Sequence, residues 1–123
     1  MKNNIPSEED FARASAAMKK RSRGLSDVRE RILGRFKSSG KLHEFFILDC
    51  SDRVFRAYVF YPMDKDIAEA HKLGLEAEIK DAVFEALELV GRGDRNSVEV
   101  VFEIDSHENV DREFEGNYFN RLH

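Results

Sequence analysis

The sequence predicts a single α+β domain in which two N-terminal helices, a long helix and a short C-terminal helix pack on an antiparallel sheet of at least three strands. The 123-residue length suits one domain, and 41% of the residues are hydrophobic, which is enough to build a core. Helical and strand periodicities also occupy separate segments. We expect residues 1–40 to be helical and residues 41–123 to follow the order β-β-α-β-α.

Two helices are predicted within the first forty residues. Ser7 and the acids at 8–10 are typical of a capped helix start, because negative charge is favoured beside the positive end of the helix dipole. This helix should run from about residue 8 to residue 22, with Gly24 as its cap. A second helix is indicated by apolar residues at helical spacing before the loop 38–40, namely Val28, Ile32, Leu33 and Phe36.

A β-hairpin should follow. The segments HEFFILDC (43–50) and RVFRAYVFY (53–61) are rich in β-branched and aromatic residues, and Ser51-Asp52 between them predicts a tight turn. The second segment carries apolar groups on both faces, so we expect this strand to be central or covered on both sides.

A long amphipathic helix is predicted after Pro62, with Asp64 as its cap and Gly91 as its end. One side of this helix is an apolar stripe, formed by Ile67, His71, Leu75, Ile79, Val83, Ala86, Leu87 and Val90. The opposite side is acidic and carries Glu78, Asp81, Glu85 and Glu88.

The third strand should have one apolar and one largely acidic face. Val98, Val100, Phe102 and Ile104 alternate with Glu99, Val101, Glu103 and Asp105. We favour the strand order 2-1-3, in which every neighbouring pair is antiparallel. Ser106 should then cap a short helix that reaches about Phe114, and the tail after Gly116 should pack back as a short strand or turn.

Charge and cysteine content predict the class of protein. Residues 1–62 hold 13 Lys and Arg against 8 Asp and Glu, whereas residues 63–123 hold 7 against 16. Cys50 is the one cysteine and no apolar leader follows Met1, so we expect a cytoplasmic protein. The apolar stretches are far shorter than the roughly 18 residues of a spanning helix, which excludes an integral membrane protein.

No motif in the sequence predicts a reaction, a cofactor or a metal. Asp105, His107, Glu108 and Asp111 are closely spaced donors, but the H-E-x-x-H spacing is missing, and first-turn helix chemistry accounts for them. We therefore predict a protein that is not an enzyme. A small enzyme that uses His107 and its neighbouring acids stays as an alternative.

A nucleic-acid-associated or regulatory protein is a second alternative. Its cationic surface would be the first two helices, with Arg13, Lys19, Lys20, Arg21, Arg23, Arg29, Arg31 and Arg35. Cations at a helix end are also ordinary capping chemistry, and the net charge of −4 disfavours a nucleic-acid partner.

The favoured interpretation is an acidic surface that docks a basic protein, since complementary charge accelerates encounter. The candidate partner-binding residues are Glu78, Asp81, Glu85, Glu88, Glu99, Glu103, Asp105, His107, Glu108, Asp111, Tyr118 and Arg121. The same acids also suit a surface that serves only solubility, and Tyr118 with Phe119 also suits a clamp that holds the tail to the core.

The element order of residues 42–122 and the ending FEIDSHENVDREFEGNYFNRL resemble the small bacterial immunity proteins of polymorphic-toxin and contact-dependent inhibition systems, including YezG-like members. The resemblance implies a non-enzymatic inhibitor that binds a cognate toxin domain, often a basic nuclease, and blocks its active site or substrate groove. The two N-terminal helices lie outside the resemblance, and no set of site residues follows from it.

Overall fold

The computed structural model describes residues 22–51 and 53–123. This part of the chain has an α+β fold, with five α-helices, one π-helical turn and three strands. In chain order these are α1 (Leu25–Ile32), the π-helical turn (Leu33–Lys37), β1 (Glu44–Ser51), β2 (Val54–Tyr61), α2 (Asp64–Lys72), α3 (Leu75–Leu89), β3 (Glu99–Ser106), α4 (His107–Phe114) and α5 (Tyr118–Leu122). The helix predicted for residues 8–22 and most of its basic run lie outside the described residues.

Helix α1 confirms the predicted second helix. Its apolar residues recur every three or four positions, so Leu25, Val28 and Ile32 share one face and are buried. Gly24 starts the helix with φ of 77°, a conformation that favours glycine. A Cβ at Gly24 would lie 2.7 Å from Cβ of Val90, so the position also requires the absence of a side chain.

The sheet has the order β1-β2-β3, with β1 and β2 antiparallel and β2 and β3 parallel. The predicted antiparallel sheet with order 2-1-3 was therefore wrong, although the hairpin and the central position of β2 are confirmed. The physical reason lies in β2, in which residues Ala57–Tyr61 are all buried. A strand buried in this way has a neighbouring strand on each edge and other elements packed on each face. The helical crossover returns the chain to the start of β2, so β3 runs parallel to it.

The predicted long helix is two helices, because the chain breaks between them at Gly74. This glycine has φ of 81° and starts α3, after α2 has ended at Lys72. The break turns His71 away from the apolar stripe on which the sequence placed it. Its exposed imidazole instead contacts the Glu76 carboxylate, with 2.9 Å between Nδ1 and Oε2.

Each face of the sheet packs against a different set of helices. The main core lies between one face and helices α1 and α3, where Phe45, Phe55, Val59 and other buried residues meet. The opposite face has a smaller core under α4 and α5, which is built on Tyr58 and Phe60. The sheet therefore separates two surfaces of the molecule.

The C-terminal segment begins as predicted and ends differently. Ser106 caps α4, since its hydroxyl oxygen accepts a hydrogen bond from the Asn109 N–H at 3.0 Å. The tail after Gly116 was expected to be a short strand or turn, but it forms helix α5. Asn117 caps this helix, and its side-chain oxygen accepts from the Asn120 N–H at 3.1 Å.

Candidate functional site

The sheet face that packs against α4 and α5 is covered at one end of the sheet and exposed at the other. Helices α4 and α5 pack over Phe46, Tyr58 and Phe60, at the end of the sheet where β2 and β3 finish. At the other end the same face stays accessible. We call this surface the open sheet end, and it consists of Leu48, Val54, Arg56, Glu99, Val101 and Glu103.

The open sheet end combines an apolar row with acidic side chains. Arg56 pairs with Leu48 on one side and with Val101 on the other, so these three residues lie in one row across the sheet. Leu48 is 42% exposed and Val101 is 40% exposed. Strand alternation places Glu99 and Glu103 on either side of Val101 along β3, on the same face.

The charges of the open sheet end are only loosely paired. The Arg56 guanidinium is 3.9 Å from the Glu103 carboxylate, which is at the outer limit of an ion pair. Within residues 22–51 and 53–123, the Glu99 carboxylate makes no ion pair. The hydrogen bond to Tyr58 raises the pKa of Arg56, which therefore stays charged. Two carboxylates and one guanidinium leave the surface with a net negative charge.

Asp105 and Arg121, two of the predicted site residues, hold α5 to the sheet. Asp105 is only 8% exposed, and its Oδ2 accepts hydrogen bonds from Arg121 Nε at 2.6 Å and Asn109 Nδ2 at 3.1 Å. The guanidinium of Arg121 also lies 5.8 Å from the ring centroids of Tyr58 and Phe60. We call the pair Asp105 and Arg121 the C-terminal clamp.

His107 and Tyr118 belong to a second contact between the C-terminal helices and the sheet. The Nδ1 atom of His107 is 2.7 Å from the Tyr118 hydroxyl, and its Nε2 atom is 3.3 Å from the Asp111 carboxylate. The imidazole also stacks on His43, with 3.9 Å between ring centroids. Both nitrogens of His107 therefore have partners inside the molecule.

Burial is the main cause of two pKa shifts in this contact, those of Tyr118 and His43. Burial, followed by the charges of Glu44, Asp111 and Asp105, raises the pKa of Tyr118 to about 12. The hydroxyl is thus neutral at physiological pH and is not a ready nucleophile. Burial, followed by the neighbouring His107, lowers the pKa of His43, which favours the uncharged ring.

Glu108 joins α4 to the start of α2. Its carboxylate accepts a hydrogen bond from the Asp64 N–H at 3.0 Å. The Asp64 carboxylate in turn accepts a hydrogen bond from the Ser106 hydroxyl and lies 3.0 Å from Arg112. The Ser106 hydrogen bond, together with Arg112, lowers the pKa of Asp64. These acids therefore stabilise the junction of two helices.

The acids of α3 lie on the other side of the molecule. Helix α3 packs on the main core through Ile79, Val83 and Leu87, so its acidic side points outward from that layer. Glu78 pairs with Arg35 at 2.9 Å, and Asp81 pairs with Arg95 at 2.7 Å. Farther along the helix Glu85, Glu88 and Leu89 are also exposed.

The structure therefore divides the twelve predicted site residues. The four acids of α3 share one surface. Glu99 and Glu103 share the open sheet end, across the sheet from α3. Asp105, His107, Glu108, Asp111, Tyr118 and Arg121 lie at the C-terminal helices, where each has a partner within the chain.

Sequence reasoning missed the apolar part of the open sheet end. The sequence prediction assigned Leu48 and Arg56 only to the two strands of the hairpin, of which the second carries apolar groups on both faces. A weak signal was available, because Val101 interrupts the acidic face of β3. Exposure of these residues depends on how far α4 and α5 extend over the sheet, which no local pattern reports.

Neither a metal site nor a membrane segment is found in the described part of the chain. Among residues 22–51 and 53–123, no three His, Cys, Asp or Glu side chains are grouped to hold a metal ion. None of the helices there has the length and apolar character needed to cross a bilayer. No protein-family model, curated protein or solved structure matches this chain.

Proposed function

We propose that this protein binds a basic protein through the open sheet end and thereby inhibits it. The observation that carries the proposal is the exposed row of Leu48 and Val101 beside Glu99 and Glu103. The resemblance to immunity proteins supplies the kind of partner, a nuclease-type toxin domain. Carboxylates would then occupy the positions that nucleic-acid phosphates take on the toxin.

Burial of the apolar row would stabilise a complex formed at this surface. Exposed apolar groups rimmed by polar residues are a common feature of protein interfaces. Burying the remaining exposed area of Leu48 or Val101 contributes about 1 kcal/mol each, because a whole aliphatic side chain is worth about 1.5 to 3 kcal/mol.

The charges give the surface its selectivity for a cationic partner. The ion pair between Arg56 and Glu103 is exposed and long, so it is weak and easily exchanged. A partner lysine or arginine can therefore approach both Glu103 and Glu99. Two acids of α3, Glu78 and Asp81, are less suited, because they already pair with arginines of this chain.

A pair of charge reversals on opposite sides of the sheet tests the proposal. The tagged protein is used to capture partners at low salt from nuclease-treated lysate of its own organism. We expect one basic protein to be captured in a stoichiometric ratio and to be released when the salt concentration is raised. Glu99→Lys with Glu103→Lys should abolish capture, whereas Glu85→Lys with Glu88→Lys, which changes the net charge equally, should retain it.

Retention by the strand variant together with loss by the helix variant would refute this site. Equal loss in both would show that only total charge matters. Circular dichroism and unfolding curves of both variants check that each is folded.

Cys50 provides a second measurement on the captured complex. It is the one cysteine of the chain, it is exposed, and it lies at the end of β1 beside the open sheet end. A bound partner should slow the reaction of its thiol with a maleimide at least severalfold. An unchanged rate in a saturated complex would place the partner elsewhere.

The nucleic-acid alternative makes a different prediction in the same experiment. Within the described residues, Arg29 and Arg35 of the basic set pair with Glu44 and Glu78. If the alternative holds, nucleic acid but no protein is recovered, and only from lysate without nuclease treatment. Replacing Lys19, Lys20, Arg21 and Arg23 by glutamine would then abolish its recovery.

A further inference from the structure

Strand β3 forms one edge of the sheet, because β2 is its one neighbouring strand among the described residues. The Glu99 N–H donates to the Arg53 carbonyl at 2.8 Å, so the backbone groups of Glu99 point towards β2. Successive strand residues direct their backbone groups to opposite edges, and those of Val100 and Phe102 therefore point away from β2. Within residues 22–51 and 53–123, no other residue forms a hydrogen bond with these two N–H groups and two carbonyls. This edge can therefore accept a further strand.

The other edge of the sheet, on β1, is closed at Phe45. The Phe45 carbonyl accepts a hydrogen bond from Arg29 Nε at 2.8 Å, and the Phe45 N–H donates to the Glu44 carboxylate at 3.1 Å. Covering an edge in this way prevents a further strand from pairing with it. The described residues supply no such cover at Val100 and Phe102, so β3 is the more available edge.

The two sides of the β3 edge differ in charge. Glu99 and Glu103 lie on the side of the open sheet end. On the side covered by α3, the ammonium group of Lys80 lies 5.3 Å from the ring centroid of Phe102. Side chains of an added strand would alternate between these two sides. The acidic side therefore favours cations on that strand, whereas uncharged residues suit the side that carries Lys80.

A second copy of this chain is poorly suited to the edge. A two-fold axis perpendicular to the sheet would pair β3 antiparallel with its own copy. With the axis at Val101, Glu99 lies opposite Glu103 of the other copy. With the axis at Phe102 it lies opposite Asp105, and with the axis at Glu103 the two copies of Glu103 are opposite each other. Like charges directly opposite each other destabilise a strand pair, so a cationic strand from another protein is the better occupant.

We propose that the basic partner adds an antiparallel strand to the edge of β3. The inference rests on the proposed function, because it describes how the partner binds at that same site. The added strand forms hydrogen bonds with the free backbone groups of Val100 and Phe102. It places a lysine or arginine opposite each of Glu99 and Glu103, and an apolar residue opposite Val101. The partner segment therefore has the pattern cation-x-apolar-x-cation, in which x is uncharged.

A synthetic peptide with this pattern, acetyl-Thr-Lys-Thr-Val-Thr-Lys-Thr-amide, is the probe. Amide NMR shifts and amide hydrogen exchange of the isotope-labelled full chain are followed during its titration. We expect saturable shifts along β3, and exchange at Val100 and Phe102 should slow by about threefold or more when most of the protein is bound. Exchange at Val101, whose N–H faces β2, should change little. A peptide with glutamate in place of both lysines should bind about tenfold more weakly or worse.

Backbone N-methylation of the peptide separates strand pairing from charge attraction. Methyl groups on its third and fifth residues remove the N–H groups that face the carbonyls of Phe102 and Val100. Methyl groups on its fourth and sixth residues remove N–H groups that point away from β3, and both peptides keep the same charge. The first peptide should lose about tenfold in affinity, and the second should stay within about threefold of the parent.

A matched pair of protein variants tests the same edge. Val100→Pro removes one outward N–H and should weaken peptide binding, whereas Val100→Thr keeps the N–H and a β-branched side chain and should retain it. Circular dichroism checks that both variants are folded.

No saturable binding, unslowed exchange at Val100 and Phe102 at saturation, or equal or reversed losses for the two methylated peptides would overturn the strand pairing. Failure to capture any partner from the lysate would instead refute the proposed function, and the peptide results would still decide whether the β3 edge accepts a strand.

Discussion

Asp105→Ala should destabilise the fold by about 2 to 4 kcal/mol. The substitution leaves Arg121 without its counter-charge. It also removes the carboxylate oxygens that accept hydrogen bonds from the Asn109 side chain and from the Ser106 N–H. Breaking a buried ion pair costs about 3 to 5 kcal/mol. The side chains of Asp105 and Arg121 keep 11% and 19% exposure, so water offsets part of that cost.

Urea unfolding followed by far-ultraviolet circular dichroism measures this loss, since the chain has no tryptophan. Asp111→Ala is the matched control, because that carboxylate is 60% exposed in its contact with His107. It should cost less than about 1 kcal/mol. A loss in Asp105→Ala no larger than in Asp111→Ala would refute the role of the C-terminal clamp.

A double-mutant cycle isolates the clamp from its surroundings. Asp105→Asn, Arg121→Met and the combined variant should give a coupling energy of about 2 kcal/mol. Partner capture by these variants should fall only in proportion to the unfolded fraction, because the clamp faces the interior. Loss of capture by fully folded Asp105→Asn would instead place Asp105 in the interface.

Two further predictions concern stability. The lowered pKa of His43 means that its neutral ring is favoured in the folded state, so this stabilisation is present above the ordinary histidine pKa of 6.5 and is lost as pH falls. Between pH 7.5 and 5.5, His43→Gln should lose less stability in urea unfolding than the parent chain or the exposed control His71→Gln. Gly24→Ala should cost more than about 2 kcal/mol and Gly74→Ala about 1 kcal/mol, since both have positive φ but only Gly24 would clash with Val90. Equal losses in the glycine pair, or equal pH dependence in the histidine pair, would contradict these assignments.

Local patterns in the sequence were sufficient for most of the elements. Helix α4 follows from the Ser106 cap and the spacing of Val110 and Phe114, which are interactions within two turns of one helix. The two faces of β3 follow from strict alternation. These features depend on residues that are close in the chain, so the sequence alone determines them.

Helix boundaries were less well determined. The apolar stripe continues through Gly74 without a change of period, so the pattern alone favoured one long helix. The positive φ of Gly74 and the start of α3 at Leu75 depend on how α2 and α3 pack together on the sheet. The same packing exposes His71.

Tertiary structure alone decided the strand order and the composition of the candidate site. Alternation in β3 is compatible with pairing on either β1 or β2, because it records which face is buried and not which strand lies alongside. The pairing with β2 places Glu99 and Glu103 beside Val101 and Arg56, with the acids of α3 across the sheet. Sequence reasoning grouped these acids by their shared charge, whereas the sheet separates them because successive strand residues point to opposite faces.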